Sequence, residues 1–153
     1  MPYAIHIHNS QKCIPVAIPD LTKTIDAILR KENLRSADLS VVIVTDRKIH
    51  EINKKFLGHD YPTDVVTFDL SEGELSRTRR FKTSRLEGEI YVSAVTARRN
   101  AGHFKNSPEQ ELLLYIVHGI LHLLGYDDHS AKDRKAMREK EKEILRKAMT
   151  NVK

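Results

Sequence analysis

What this sequence has little of narrows it first. It holds one cysteine, Cys13, in 153 residues, which excludes an internal disulfide framework and suits a reducing compartment. No apolar run approaches the ~20 residues needed to cross a bilayer, so no membrane span is expected. The opening stretch, MPYAIHIHNS, has no basic segment leading into an apolar one; a secretory signal is not expected, and a cytoplasmic location is. Proline, glycine and serine are nowhere dense enough to form a linker, and no repeat or low-complexity segment divides the chain. The expectation is a single domain, residues 1–153, long enough to bury a core without disulfide or metal staples.

What is present is the balance of an ordinary folded domain: 40% hydrophobic and 31% charged residues. A net charge of +5 is compatible with a nucleic-acid partner without requiring one. The charge is uneven. The stretch SRTRRFKTSR, residues 76–85, gathers Arg77, Arg79, Arg80, Lys82 and Arg85 with no acid among them. Such a run is either a solvated surface loop or an arm that contacts phosphates.

Hydrophobic periodicity sets out the elements. YAIHIH alternates Ile5 and Ile7 with His6 and His8, a strand with its histidines turned outward. Asp20 is placed to cap a helix bearing Leu21, Ile25, Ile28 and Leu29 on one face. LSVVIV, 39–44, is a β-branched run expected to be buried on both faces. Asp46 can cap a second helix, striped by Ile49, Ile52 and Phe56 and stopped by Gly58. Two more strands are read at 64–70 and 88–93, then a helix at 94–102. Ser107, Pro108 and Gln110 open the next helix as a capping box with proline at its first position. Its apolar run, Leu112 to Leu124, implies burial, and Gly125 supplies a left-handed stop. Ser130 opens a last helix, with Asp133 in its first turn and Met137, Ile144 and Leu145 facing inward. The sum is an α+β fold: a mixed sheet of about four strands packed with about five helices.

The stretch HGILHLLGYDDHS, residues 118–130, carries the chemistry. His118 and His122 are four apart and share one helical face, so their rings aim at a common point. A buried helix has few other uses for two imidazoles, each needing hydrogen-bond partners. Beyond Gly125 the chain can turn back and offer Asp128 or His129 as a third ligand, leaving a fourth position for water, as in catalytic rather than structural zinc sites. Zinc peptidases place a glutamate directly after the first histidine as general base; here that residue is Gly119, which disfavours peptide hydrolysis. Glu111, two turns before His118, is conceivable as a proton carrier, but the sequence assigns it no role.

HGILHLLGYDD closely resembles the H-G-x-L-H-L-x-G-Y-D-H signature of the YbeY family of bacterial metal-dependent endoribonucleases. PTDVVTF, 62–68, is similar to that family's P-T-D-V-L-S-F strand, and GEIYVS, 88–93, to its G-D-I strand. The likeness spans about residues 39 to 146. It implies one zinc ion per chain, single-stranded rRNA or its precursors as substrate, a part in maturation of the 16S 3′ end and in ribosome quality control, and ribosomal subunits as partners, with no DNA.

There are two departures. The family's third histidine aligns with Asp128, and His129 comes one residue late; Met137, nine residues past Asp128, keeps the family's register and favours Asp128, whereas ligand preference and reach favour His129. The family's arginine implicated in RNA cleavage aligns with Leu57, after Phe56. Phosphate contact would then fall to Arg77, Arg79, Arg80 and Arg85, or to Arg98 and Arg99. No general acid or base is assigned. A ribosome-associated assembly factor with a structural metal is the alternative reading.

Overall fold

The computed structural model describes residues 3–58, 64–70, 85–103, 105–126 and 130–151, with side chains described to residue 147. In chain order the elements are β1 (Tyr3–Asn9), α1 (Ile18–Lys31), β2 (Ser36–Val44), α2 (Asp46–Ile52), β3 (Val65–Asp69), β4 (Arg85–Ser93), α3 (Ala94–His103), α4 (Pro108–Leu123) and α5 (Ala131–Asn151). The strands form one mixed sheet in the order β1-β2-β4-β3. β1, β2 and β4 run parallel, and β3 pairs antiparallel with β4 at the sheet's end. Among the described residues the expected α+β architecture is the one observed, with four strands in a mixed sheet and five α-helices.

The sheet has unequal faces. Leu39, Val41 and Ile43 of β2 and Leu86, Ile90 and Val92 of β4 form one buried cluster with residues of α1, α3, α4 and α5. The opposite face has a smaller cluster of Val44, Ile49, Ile52 and Val66, against which Val42, Phe68 and Tyr91 pack. β2, expected to be buried on both faces, is therefore fully covered on one only: Ser40 and Val42 are half-buried, and among the described helices α2 is the one that packs on that side. β1 has the expected alternation, with His6 and His8 exposed and His6 Nε2 3.6 Å from Asp38.

Two caps differ from the sequence expectation. α1 begins at Ile18, with Pro19 in its first turn, so Asp20 is not its cap but an acid inside that turn, where the helix dipole favours it. The cap of α2 is Thr45, whose side chain accepts from the Lys48 N–H at 3.3 Å, and Asp46 is the first helical residue. Threonine serves the cap as well as aspartate does, which leaves Asp46 for longer-range bonds. Its carboxylate accepts from the buried Ser93 hydroxyl, from Thr96 Oγ1 at 2.6 Å and from Arg99 Nη2 at 2.5 Å. Asp46 thus ties α2 to the junction of β4 and α3. At Asn53–Leu57 the helix widens into a π turn, and Gly58, at φ 71°, ends it where expected.

Burial by itself would raise the Asp46 carboxyl; the hydrogen bonds from Ser93, Thr96 and Arg99 and the Arg99 charge outweigh it and hold the group below the ordinary carboxylate value. A depressed folded value gives stability that is present above the unfolded value of about 3.9 and is lost as pH falls through the folded one. Asp46→Ala is expected to cost on the order of 2 kcal/mol at neutral pH. In urea titrations the gap between wild type and variant should narrow below about pH 4; a gap independent of pH would show that the charged carboxylate contributes nothing.

Candidate metal centre

α4 is held in place before its histidines do anything. Ser107 accepts from the Gln110 N–H at 3.1 Å while the Gln110 side chain accepts from the Ser107 N–H at 2.8 Å, the expected capping box. The other end closes as expected too. The Gly125 N–H donates to the His122 carbonyl at 3.1 Å and the Tyr126 N–H to that of Leu121 at 3.0 Å, with Gly125 at φ 103°. That pair of bonds is a Schellman motif, and it needs a residue that tolerates positive φ. Between the ends, Leu112, Ile116, Val117, Ile120 and Leu121 are buried.

His118 and His122 are brought together as their spacing predicts. Their Nε2 atoms lie 3.1 Å apart, and the rings meet edge to face with centroids 4.6 Å apart. Glu141 Oε2 on α5 accepts from His118 Nδ1 at 2.5 Å. That bond places the His118 proton on Nδ1 and turns the Nε2 lone pair towards His122. Two bonds of about 2.0–2.1 Å to a single zinc ion can span a gap of this size, so the pair fits a shared ion. A carboxylate behind a ligating histidine fixes tautomer and ring orientation, the arrangement common to such sites.

Glu141 is the functional residue that sequence reasoning missed. Its signal was there: it lies four residues after Met137 and four before Leu145, an acid on the helix's inward stripe. Among charged residues such burial is rare without a partner, and its side chain is only 12% exposed. α5 is anchored by Met137 in the core and by Lys140, whose ammonium lies 3.1 Å from Glu32, the residue that caps the end of α1. Burial would lower the Lys140 value, but Glu32 outweighs it and keeps the ammonium charged.

The other nominated residues fall differently. Asp128 and His129 lie outside the described residues, and among the described ones no group of three metal-ligating side chains forms. The chain leaves α4 at Gly125 and is held again at Ser130, whose side chain accepts from the Asp133 N–H at 3.0 Å. Arg77, Arg79 and Arg80 also lie outside the described residues. Arg85 was read as the end of the basic stretch; it is instead the first residue of β4, with Nη2 2.5 Å from Glu87. Arg99 is bonded to Asp46. Leu57, where the family has arginine, is 44% exposed and brings no cation.

Glu111 is fully engaged elsewhere. It is buried, accepts from Asn106 Nδ2 at 3.0 Å, and lies beside Tyr115, whose hydroxyl accepts from Asn100 Nδ2 at 2.8 Å. Burial pushes the Tyr115 phenol far above its ordinary value, and the neighbouring Glu111 carboxylate pushes it further. Seven residues of helix also separate Glu111 from His118 by about 10 Å along the axis. It ties α4 to Asn106 in the connection before it, while Tyr115 joins α4 to Asn100 of α3, and it does not reach the histidines.

Gly119 explains why no peptidase-type base follows His118. A Cβ there would lie 2.8 Å from Ile90 Cγ2 and 3.1 Å from Thr67 Cγ2, so this face of α4 sits directly on β4 and β3. A glutamate would be driven into the sheet. Gly119→Ala is expected to destabilise by about 1–3 kcal/mol despite alanine's better helix propensity. Chemical denaturation measures this; unchanged or increased stability would mean the sheet yields to the methyl group.

Known proteins share this arrangement of elements. The family model described as "Endoribonuclease YbeY" matches residues 6–149. A protein named "Endoribonuclease YbeY" from Chlorobium phaeovibrioides is 41% identical over 143 residues, covering 93% of this chain and 88% of that one. One of the same name from Syntrophus aciditrophicus is 35% identical, covering 95% of this chain and 89% of its own. A solution structure of a Thermotoga maritima protein superposes with a TM-score of 0.68 at 34% identity, covering 96% of this chain and 90% of that one. The match runs through both histidines, the glycine between them and the helix that carries Glu141, and this chain belongs to the Endoribonuclease YbeY family.

Proposed function

We propose that this protein is a zinc-dependent endoribonuclease that cuts single-stranded rRNA or its precursors, acting in 16S 3′-end maturation and ribosome quality control. The observation that carries the metal is the 3.1 Å approach of His118 Nε2 and His122 Nε2 with Glu141 behind the first ring. Family membership carries the RNA. His118 and His122 would hold the ion together with Asp128 or His129. A zinc ion held there would polarise a phosphoryl oxygen and lower the pKa of water towards ~7, supplying a nucleophile at neutral pH. Glu141 keeps His118 in the tautomer that presents Nε2, and the packed α4 keeps both rings from turning away. β3, at the end of the sheet, brings Thr67 against Gly119 and so borders the histidines. No helix of the described residues is long and apolar enough to cross a membrane.

One observation favours a second reading. Leu57 occupies the position of the family's cleavage-linked arginine, and Arg99 and Arg85 have acidic partners. A chain without that cation could serve as a ribosome-associated factor whose metal fixes the turn after Gly125.

The two readings separate in one experiment. Stringently purified wild type and His122→Ala are incubated with single-stranded rRNA fragments, with and without chelator. The nuclease reading expects cleavage in the wild type and at least a hundredfold less in the variant and with chelator, roughly the loss of a metal-ligand catalyst. Equal cleavage by both proteins would identify a contaminant. Zinc in the wild type, binding to ribosomal subunits and no turnover would favour the assembly factor.

Zinc affinity gives a second measurement. Glu141→Gln is expected to weaken zinc about 10- to 100-fold, as loss of a carboxylate behind a ligating histidine does. Asp128→Ala and His129→Ala, titrated in parallel, identify the third ligand as whichever loses zinc; equal retention by both would rule out both. Unchanged affinity in Glu141→Gln would reduce its hydrogen bond to a packing contact.

A further inference from the structure

Three of the four exposed large hydrophobic side chains among the described residues belong to segments that meet on the small face of the sheet: Phe56 and Leu57 in the π turn after α2, and Leu70 just past β3; the fourth, Ile18, is on α1. A scattered apolar side chain at a surface needs no explanation, but a cluster does. Phe56, the most exposed at 61%, lies in the π turn after α2. Its ring meets that of Phe68 on β3 edge to face, with centroids 5.8 Å apart, and Phe68 meets Tyr91 on β4 the same way at 5.7 Å. Phe68 and Tyr91 rest on the buried cluster of Val44, Ile49, Ile52 and Val66. Leu70 follows Phe68 by two residues and its N–H bonds the Glu87 carbonyl at 3.0 Å, so it continues the β3–β4 pairing on the same face. The result is a column of three aromatic rings, its inner end fixed in a core and its outer ring in solvent.

Charge selects the occupant. Lys55 Nζ lies 5.3 Å from the Phe56 ring centroid, and the chain carries a net +5. An exposed aromatic with a cation over it suits a base and its phosphate, the combination used by sequence-tolerant binders of single strands. Glu89 is opposite Phe68 across the β3–β4 pair and its charge acts on Tyr91, at the inner end of the column, which favours a phosphate at the Lys55 end. Location agrees. β3 carries Phe68 on one face, while the adjacent Thr67 faces Gly119, the residue after His118, on the other. A strand passing over β3 would have a base at Phe56 and its backbone entering the side of the sheet where the histidines lie.

We propose that Phe56, backed by Phe68 and Tyr91, is a stacking platform for an unpaired base of the RNA, with Lys55 neutralising the adjoining phosphate. This rests on the endoribonuclease reading and adds a positioning residue to it. It accounts for a preference for single strands, since a paired base keeps its faces inside the duplex stack.

The test uses the absence of tryptophan from this sequence. Phe56→Trp introduces a single fluorescent ring at the platform, and a short fluorescein-labelled single-stranded oligoribonucleotide reports its own binding by anisotropy in the same sample. Expected is quenching of the tryptophan that saturates with the anisotropy change, and little of either with a duplex of the same sequence. Phe56→Leu keeps an apolar side chain but has no ring; it should raise Kd and KM about 5- to 100-fold with kcat and Tm near wild type. A protein-docking patch would tolerate leucine. Binding by anisotropy with no quenching, or a Phe56→Leu variant that binds like wild type, overturns the platform and leaves the nuclease reading standing. No RNA binding by the wild type overturns both. A tryptophan shift that depends on protein concentration without RNA would assign the patch to a second copy of the chain.

Discussion

Everything at the histidine site depends on one close contact, that of α4 with the sheet. At Gly119 the helix backbone comes near enough to Ile90 and Thr67 that no side chain fits between. At Gly88 the reverse holds: a Cβ on the strand would lie 2.7 Å from Leu123 Cδ1 of the helix. Two glycines, one on each element, therefore set the distance and rotation of α4. The rotation that puts Gly119 against the sheet fixes the direction of its neighbour His118, and His122 follows one turn later. The site is oriented by packing, before any ion contributes.

The polar groups inside this frame are each joined to a different element, and together they lock the helices to one another. Glu141 joins α5 to α4 through His118, Glu111 and Tyr115 join α4 to the region of α3, and Asp46 joins α2 to the β4–α3 junction. Buried polar groups are costly unless satisfied, so each bond also excludes arrangements in which its partner is missing. The first of these bonds orients the histidine pair; the others stiffen what surrounds it. Glu111 shows why an acid on the histidine helix is not thereby a catalytic acid. Its carboxylate is already in a network facing another way.

The two faces of the sheet have divided their roles. The large face, covered by α1, α3, α4 and α5, holds most of the buried apolar residues and the histidines. The small face, on which α2 packs among the described helices, leaves Phe56 in solvent and Phe68 and Tyr91 half-buried. β3 serves both because successive residues of a strand point to opposite faces. A five-residue strand at the sheet's end thus connects the packing under Gly119 with the exposed ring of Phe56.

Much of this was determined by sequence, because the signals were local. The capping box at Ser107 and Gln110, the left-handed stop at Gly125 and the four-residue spacing of His118 and His122 each depend on atoms within one or two turns, and each was found as expected. The alternation of β1 and the strands and helices of the described residues were legible for the same reason. Where Asp20 and Asp46 were read as caps, a neighbouring residue began the helix instead; cap preferences among adjacent residues differ by too little for sequence to choose between them. What only the tertiary structure decided is which distant groups meet. Glu141 reaches His118 across 23 positions, Asp46 reaches Arg99 across 53, and the Phe56 ring meets that of Phe68 on another element. Such pairings follow from how helices seat on a sheet, and that depends on the packing of the core and not on any one stretch of chain.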